Sequence, residues 1–337
     1  MGYVVSKEAF DKVLQKLGEK YRLYAPVRKA GEGRFTDTDV VRYDFVKSLE
    51  DMELDAKSDY AFKEILTPLS QTLFFFTEGE TKEADMDISD AIVFLRACDL
   101  HAVKSLDDIY LRNKFEDPFY KKIREHIKFA LIGCASSFDN CFCVDMGTNI
   151  APEDYIFSID VAGDQVKSKV ISEEVAEIFD SLSAKKEEVT PAHVSDNPVH
   201  VEIPDQIPNS VFKSDIWDEY SSRCIGCGRC NVVCPTCTCF TMQDTFYSEN
   251  GKVGERRRVA ASCMINGYTN VAGGGQYRKS QGERMRFKVL HKISDHKKRF
   301  GHNMCVGCGR CDDVCPEYIK FSNIINKVNN AVEEEGR

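Results

Sequence analysis

Eleven of the chain's fifteen cysteines fall between Cys224 and Cys315, and eight of these form two copies of one spacing. Cys224, Cys227 and Cys230 lead to Cys234-Pro235, and Cys305, Cys308 and Cys311 lead to Cys315-Pro316. Both copies read C-x2-C-x2-C-x3-C-P, the ferredoxin run that holds [4Fe–4S] clusters. Three thiolates at that spacing wrap one face of a cubane, and the intervening glycines allow the tight path without a Cβ clash. The fourth cysteine reaches the other cluster. The spacing therefore predicts one cluster on Cys224, Cys227, Cys230 and Cys315, and a second on Cys305, Cys308, Cys311 and Cys234. Zinc is the competing thiolate metal, but zinc ribbons pair two C-x2-C units and need neither a third cysteine nor Cys-Pro.

Four further cysteines, Cys98, Cys134, Cys141 and Cys143, lie upstream. Their convergence would allow a third [4Fe–4S] cluster; the alternatives are four buried free thiols or a zinc site. Cys237, Cys239 and Cys263 read as packing beside the clusters. His291, His296 and His302 read as solvated or near-cluster residues, not acid–base catalysts. The sequence contains no Walker A loop, H-E-x-x-H or G-x-S-x-G. No catalytic residue is assigned.

The elements that must position these cysteines are legible in outline. Leu73–Phe76, Ala91–Leu95 and Phe129–Ile132 are apolar runs of strand length, and the last two run into Cys98 and Cys134. If those two strands are parallel, both thiols reach one sheet edge. Asp99 is expected to cap a helix through Leu111. Residues 6–20 suit an amphipathic helix capped by Ser6, and Ile156–Val161 and Gln165–Val170 suit a hairpin about Gly163-Asp164. Ser172–Leu182 reads as a helix with a capping box. Helices are expected around Glu283–Lys298 and over Tyr318–Val332. Four prolines between 185 and 215 mark a linker. The chain thus divides into a mixed α/β domain over 1–210, with a candidate cluster site, and a mainly helical dicluster ferredoxin-like domain over 211–337. The fold class is α+β or mixed.

Composition bounds the function. The net charge of −9 argues against a general nucleic-acid binder. It is nevertheless uneven: residues 252–310 carry +11 and the remainder −20. Such a stretch suits an acidic partner, a flavin phosphate, or compensation of negatively charged clusters; nucleic acid would be the reading of a different class, an iron–sulfur regulatory or processing protein. No apolar run is long enough to span a membrane. With no signal or transit segment read at the start, a cytoplasmic protein is expected.

The sequence resembles the iron–sulfur subunits of anaerobic sulfite reductases and, more broadly, the iron–sulfur beta subunits of soluble sulfhydrogenases. The resemblance rests on Arg96-Ala97-Cys98-Asp99-Leu100, Cys141-Phe142-Cys143, Cys234-Pro235-Thr236-Cys237-Thr238-Cys239, Ser262-Cys263 and the two cysteine runs. It implies a non-catalytic electron-transfer subunit of an oxidoreductase complex. Electrons would pass from an NAD(P)H-oxidising flavin subunit to a sirohaem subunit that reduces sulfite. It also favours the third cluster. The alternative within the resemblance is the beta subunit of a NiFe sulfhydrogenase.

Overall fold

The expected apolar runs do form strands in the computed structural model, which describes residues 1–35 and 37–335. Thr36 and the last two residues of the downstream region lie outside it. The strands are β1 (Gly2–Ser6), β2 (Arg22–Lys29), β3 (Val40–Phe45), β4 (Ser70–Phe76), β5 (Thr81–Glu83), β6 (Ala91–Leu95), β7 (Ile127–Ile132), β8 (Phe157–Ala162), β9 (Gln165–Lys169), β10 (Lys185–Lys186), β11 (Phe240–Phe246) and β12 (Gly254–Ala260). One sheet has the order β10-β1-β9-β8-β7-β6-β2-β3. Its centre is parallel, β2 to β6 to β7 to β8, and its flanks are antiparallel. Every residue of β6 is buried, as a strand covered on both faces requires. Ile92 and Phe94 face one apolar core with Phe10 and Phe157, while Val93 and Leu95 face another with Leu100 and Leu106.

The helices are α1 (Lys7–Gly18), α2 (Lys63–Leu66), α3 (Ala97–Tyr110), α4 (Pro118–Glu125), α5 (Glu173–Ser181), α6 (Glu219–Arg223), α7 (Arg229–Val232), α8 (Gln281–Leu290), α9 (His296–Phe300), α10 (Arg310–Val314) and α11 (Phe321–Glu335). Ser6 caps α1 as expected, its side chain accepting from Ala9 N. Two expectations about caps need correction. The N-cap of α5 is Ser172, but the residue three positions on is Val175, which has no side-chain acceptor, so no capping box forms. Glu174 instead receives hydrogen bonds from Lys20, Tyr21 and Lys128. The N-cap of α3 is Arg96, not Asp99.

Asp99 lies in the first turn of α3, fully buried, and takes both arms of the Arg310 guanidinium at 2.6 and 2.8 Å. Arg310, 3% exposed, also donates to the Ser58 carbonyl and hydroxyl. This pair ties the helix carrying Cys98 to the second cysteine run.

A second sheet, β11-β12-β4-β5, is antiparallel throughout and joins a hairpin of the downstream region to two upstream strands. The hairpin departs from the mainly helical region expected there. Phe240, Met242 and Phe246 fall at alternate positions of β11, but Asp244 interrupts them and all seven residues are exposed, so the pattern marks no buried face. The helices expected downstream are present, although α8 is separated from α9 by a π-helical turn over His291–Asp295. Among the described residues, no helix is long and apolar enough to cross a membrane.

Asp99→Ala strands a buried guanidinium. It is expected to destabilise the fold by about 3–5 kcal/mol, whereas the paired change Asp99→Leu with Arg310→Met costs much less. Guanidinium unfolding followed by circular dichroism measures both; equal losses would show that the pair is not the tie.

Candidate metal centre

Each cysteine run turns through left-handed glycines into a short helix. Gly226 and Gly228 precede α7, and Gly307 and Gly309 precede α10, with φ between 65° and 74°. The turns aim the thiols of both runs into two adjoining cavities. Cys224, Cys227, Cys230, Cys311 and Cys315 line the first, beneath Met264, Met285 and Ile324. The second is lined by Cys230, Cys234, Cys305, Cys308 and Cys311, with Phe142 and Pro235. Cys230, Cys311, Lys288 and Phe321 belong to both walls, so the cavities are neighbours. Cys315 opens into the cavity of the first run and Cys234 into that of the second.

Cys98 and Cys134 follow β6 and β7, which are parallel, and so sit at the same edge of the sheet. The buried pair Cys141 and Cys143 comes to the second run through backbone contact: Phe142 N donates to Gly307 O at 2.8 Å. A Cβ at Gly307 or Gly309 would strike the backbone of Phe142 or Asn140, so both glycines permit that approach. Cys98 packs in the same cluster of side chains as Cys308. Cys98, Cys141 and Cys143 therefore lie beside the second run, and Cys134, next to exposed Ala135 and Ser136, is within electrostatic reach of Cys141 and Cys143.

Among the described residues, no three cysteine sulfurs gather closely enough for a single ion. Zinc–thiolate bonds of about 2.3 Å would set sulfurs about 3.8 Å apart.

Buried cations face these sulfurs. Lys292 Nζ donates to Cys234 Sγ at 3.2 Å and to Thr236 Oγ1 at 2.8 Å. Burial opposes the charges on Lys292 and Lys288, yet nearby sulfurs override it and raise both above the usual lysine range. Those sulfurs are Cys234, Cys237 and Cys305 for Lys292, and Cys230, Cys311 and Cys237 for Lys288. Without metal, burial pushes the Cys308 thiol up to about 11 and Cys305 up to about 12, so metal uptake must release protons.

The three remaining cysteines do pack beside the runs. Cys237 is hydrogen-bonded to Cys234, which lowers the pKa of Cys234, with Lys292 and Lys63 assisting. Cys263 likewise lowers Cys239 to about 6, and Asn231 Nδ2 donates to Cys263 Sγ at 3.1 Å. Sequence reasoning missed Asn231, Lys288 and Lys292 as partners of sulfur, because their signal is tertiary. The +11 charge of residues 252–310 was the only trace of Lys288 and Lys292, and Asn231 left none.

Residues 223–319, which hold both cysteine runs, match the 4Fe-4S dicluster domain. The whole chain is similar to the Sulfhydrogenase 2 subunit beta of Pyrococcus furiosus, at 29% identity over 98% of this chain and 100% of that protein. No solved structure matches it. The chain is an iron–sulfur electron-transfer protein.

Lys292→Met removes a charged donor from Cys234. A hydrogen bond to a charged group, at about 1.5–3 kcal/mol, corresponds to roughly 60–130 mV for one electron. The potential of the affected cluster is expected to fall by that order in an anaerobic redox titration followed by electron paramagnetic resonance. An unchanged potential would remove Lys292 from the tuning of that centre.

Proposed function

We propose that this chain is the electron-relay subunit of a cytoplasmic, anaerobic sulfite-reducing complex, carrying electrons from an NAD(P)H-oxidising flavin subunit to a sirohaem subunit. The observation that carries the relay is the common wall of the two cavities, with Cys98, Cys141 and Cys143 beside the second run. Cys224, Cys227, Cys230 and Cys315 would hold one cluster, Cys305, Cys308, Cys311 and Cys234 the next, and Cys98, Cys134, Cys141 and Cys143 a third. Bound there, [4Fe–4S] clusters supply one-electron chemistry whose potential follows hydrogen bonding, charge and exposure.

The protein's own residues supply those controls. Ile319 N donates to Cys315 Sγ at 3.4 Å, Asn197 Nδ2 to Cys143 Sγ at 3.7 Å, and Lys57 Nζ approaches Cys141 Sγ at 3.9 Å. The two ends of the series differ in access. Cys227 is exposed, with Ile225 beside it at 61%, and Tyr318, between the lining residues Glu317 and Ile319, is 85% exposed, so the first cavity would open toward a docking partner. Cys134, among the upstream cysteines, is half-buried next to exposed Ala135 and Ser136.

The choice of sulfite as terminal acceptor rests on the motif resemblance. The name of the Pyrococcus relative supports a second reading, a beta subunit serving a hydrogenase. Five residues of the basic stretch have internal partners and so do not belong to a free cationic face. Arg256, Arg257 and Arg258 pair with Asp244, Glu255 and Asp117, while Lys288 and Lys292 turn toward sulfur.

Anaerobically reconstituted protein is expected to hold about 12 Fe per chain, from three clusters of four irons. A value of about 8 would leave the upstream cysteines as thiols.

The cluster-loaded chain is expected to reduce no sulfite alone, and to restore NAD(P)H-dependent sulfite reduction when added to its flavin and sirohaem partners. Sulfite turnover by the lone chain, free of sirohaem, would refute the relay. Co-purification with a nickel–iron protein would transfer it to hydrogenase.

A further inference from the structure

Away from the cysteines, one ligand atom each from Asp108, His296 and His302 come within 4.8 Å of one another. Asp108 lies near the end of α3, and His296 opens α9. His302 stands on the loop between α9 and Cys305. His296 is 3% exposed, and its Nδ1 lies 2.9 Å from the His302 carbonyl. A carbonyl only accepts, so Nδ1 carries the proton and Nε2 is left as a lone pair. That Nε2 is buried without any hydrogen-bond partner. An orphaned buried acceptor of this kind costs about 1–3 kcal/mol unless something answers it.

His302 repeats the arrangement. Its Nδ1 lies 3.1 Å from the Asn303 carbonyl, which again assigns the proton to Nδ1, while Nε2 stands 2.7 Å from Asp108 Oδ2. In the neutral ring two acceptors then face each other. Protonating His302 would satisfy this contact but leave His296 Nε2 unanswered. A cation answers all three groups together. Backbone carbonyls that fix Nδ1–H and free Nε2 are the usual support of metal-binding histidines.

From this geometry we propose that Asp108, His296 and His302 bind one divalent transition-metal ion of the zinc class, separate from the cysteine-held clusters. Two imidazoles and one carboxylate suit Zn²⁺, with open positions left for water. Asp108 offers a single oxygen, because Oδ1 already receives Arg112 at 2.9 Å. Bonds of about 2.0–2.1 Å set neighbouring ligand atoms about 2.9–3.4 Å apart, so rotation of the half-buried His302 ring contracts the set around an ion.

The site would join the sheet region, through α3, to the loop entering the second cysteine run. Met304 N and Cys305 N in that loop both donate to the carbonyl of Lys292, at 2.8 and 3.3 Å. The ion would therefore fasten the segment that presents Cys305.

The test uses the full, cluster-loaded chain, washed with chelator under anaerobic conditions and titrated with Zn²⁺. One equivalent is expected to bind, and zinc-edge X-ray absorption is expected to show nitrogen and oxygen ligands with imidazole scattering and no sulfur. His302→Ala and His296→Gln should lose that equivalent while keeping their iron–sulfur absorbance, and Arg112→Ala should retain it. Three results would overturn the site: no stoichiometric uptake, sulfur in the zinc shell, or uptake undiminished in both histidine variants. The absorption spectrum of the unaltered protein decides the matter even if a variant fails to fold.

Discussion

Burying sulfur ligands beside fixed positive charge is the constraint from which this structure follows. Thiolates gathered around iron form a negative body, and removing such charge from water is costly unless partners are buried with it. Lys288, Lys292 and Arg310 are those partners, each almost wholly buried among cysteines or beside one. Lysine and arginine are seldom found so deep. Here each removes the other's penalty: the sulfurs hold the cations charged, and the cations offset the desolvation of the sulfurs. The π-helical turn after α8 belongs to the same arrangement. It carries Lys292, whose side chain reaches Cys234 and whose carbonyl receives the loop leading into Cys305. One residue thus serves ligands from both cysteine runs.

Legibility from sequence tracked how local each feature is. Strands β6 and β7 were visible as continuous apolar runs, and the cysteines following them were correctly expected at one sheet edge because parallel strands share an end. The two glycine-bearing cysteine runs were legible because their geometry lies within eleven residues of chain. The hairpin of β11 and β12 was invisible because β12 is ordered by pairing with β4, more than 175 residues away, and not by a buried apolar face. Asp99 shows how a local rule loses to a distant partner. A carboxylate in a first helical turn ordinarily serves the helix end, but a buried guanidinium offers a stronger, two-pronged contact.

Charge composition was informative in sum and silent in detail. The excess of +11 over residues 252–310 indicated that negative charge had to be met somewhere. It did not distinguish Lys288 and Lys292, which meet sulfur, from Arg256, Arg257 and Arg258, which meet carboxylates on the second sheet. On the sequence all five belong to one basic stretch. In the fold they divide between the strand β12 and the helical segment that walls the cavities, and only the latter bears on redox chemistry.

The division of labour between the two halves of the chain follows from the same contacts. The second cysteine run lies between the first run, with which it shares a cavity wall, and the loop of Cys141 and Cys143, which its glycines admit at backbone distance. Side chains larger than hydrogen at Gly307 or Gly309 would push that loop away and separate the upstream thiols from Cys308. The Asp99–Arg310 pair secures the approach from the other side, since Arg310 lies between Cys308 and Cys311 in sequence and Asp99 follows Cys98. The sheet region is therefore more than a platform. Through two glycines and one buried ion pair it holds Cys98, Cys141 and Cys143 against the second cysteine run.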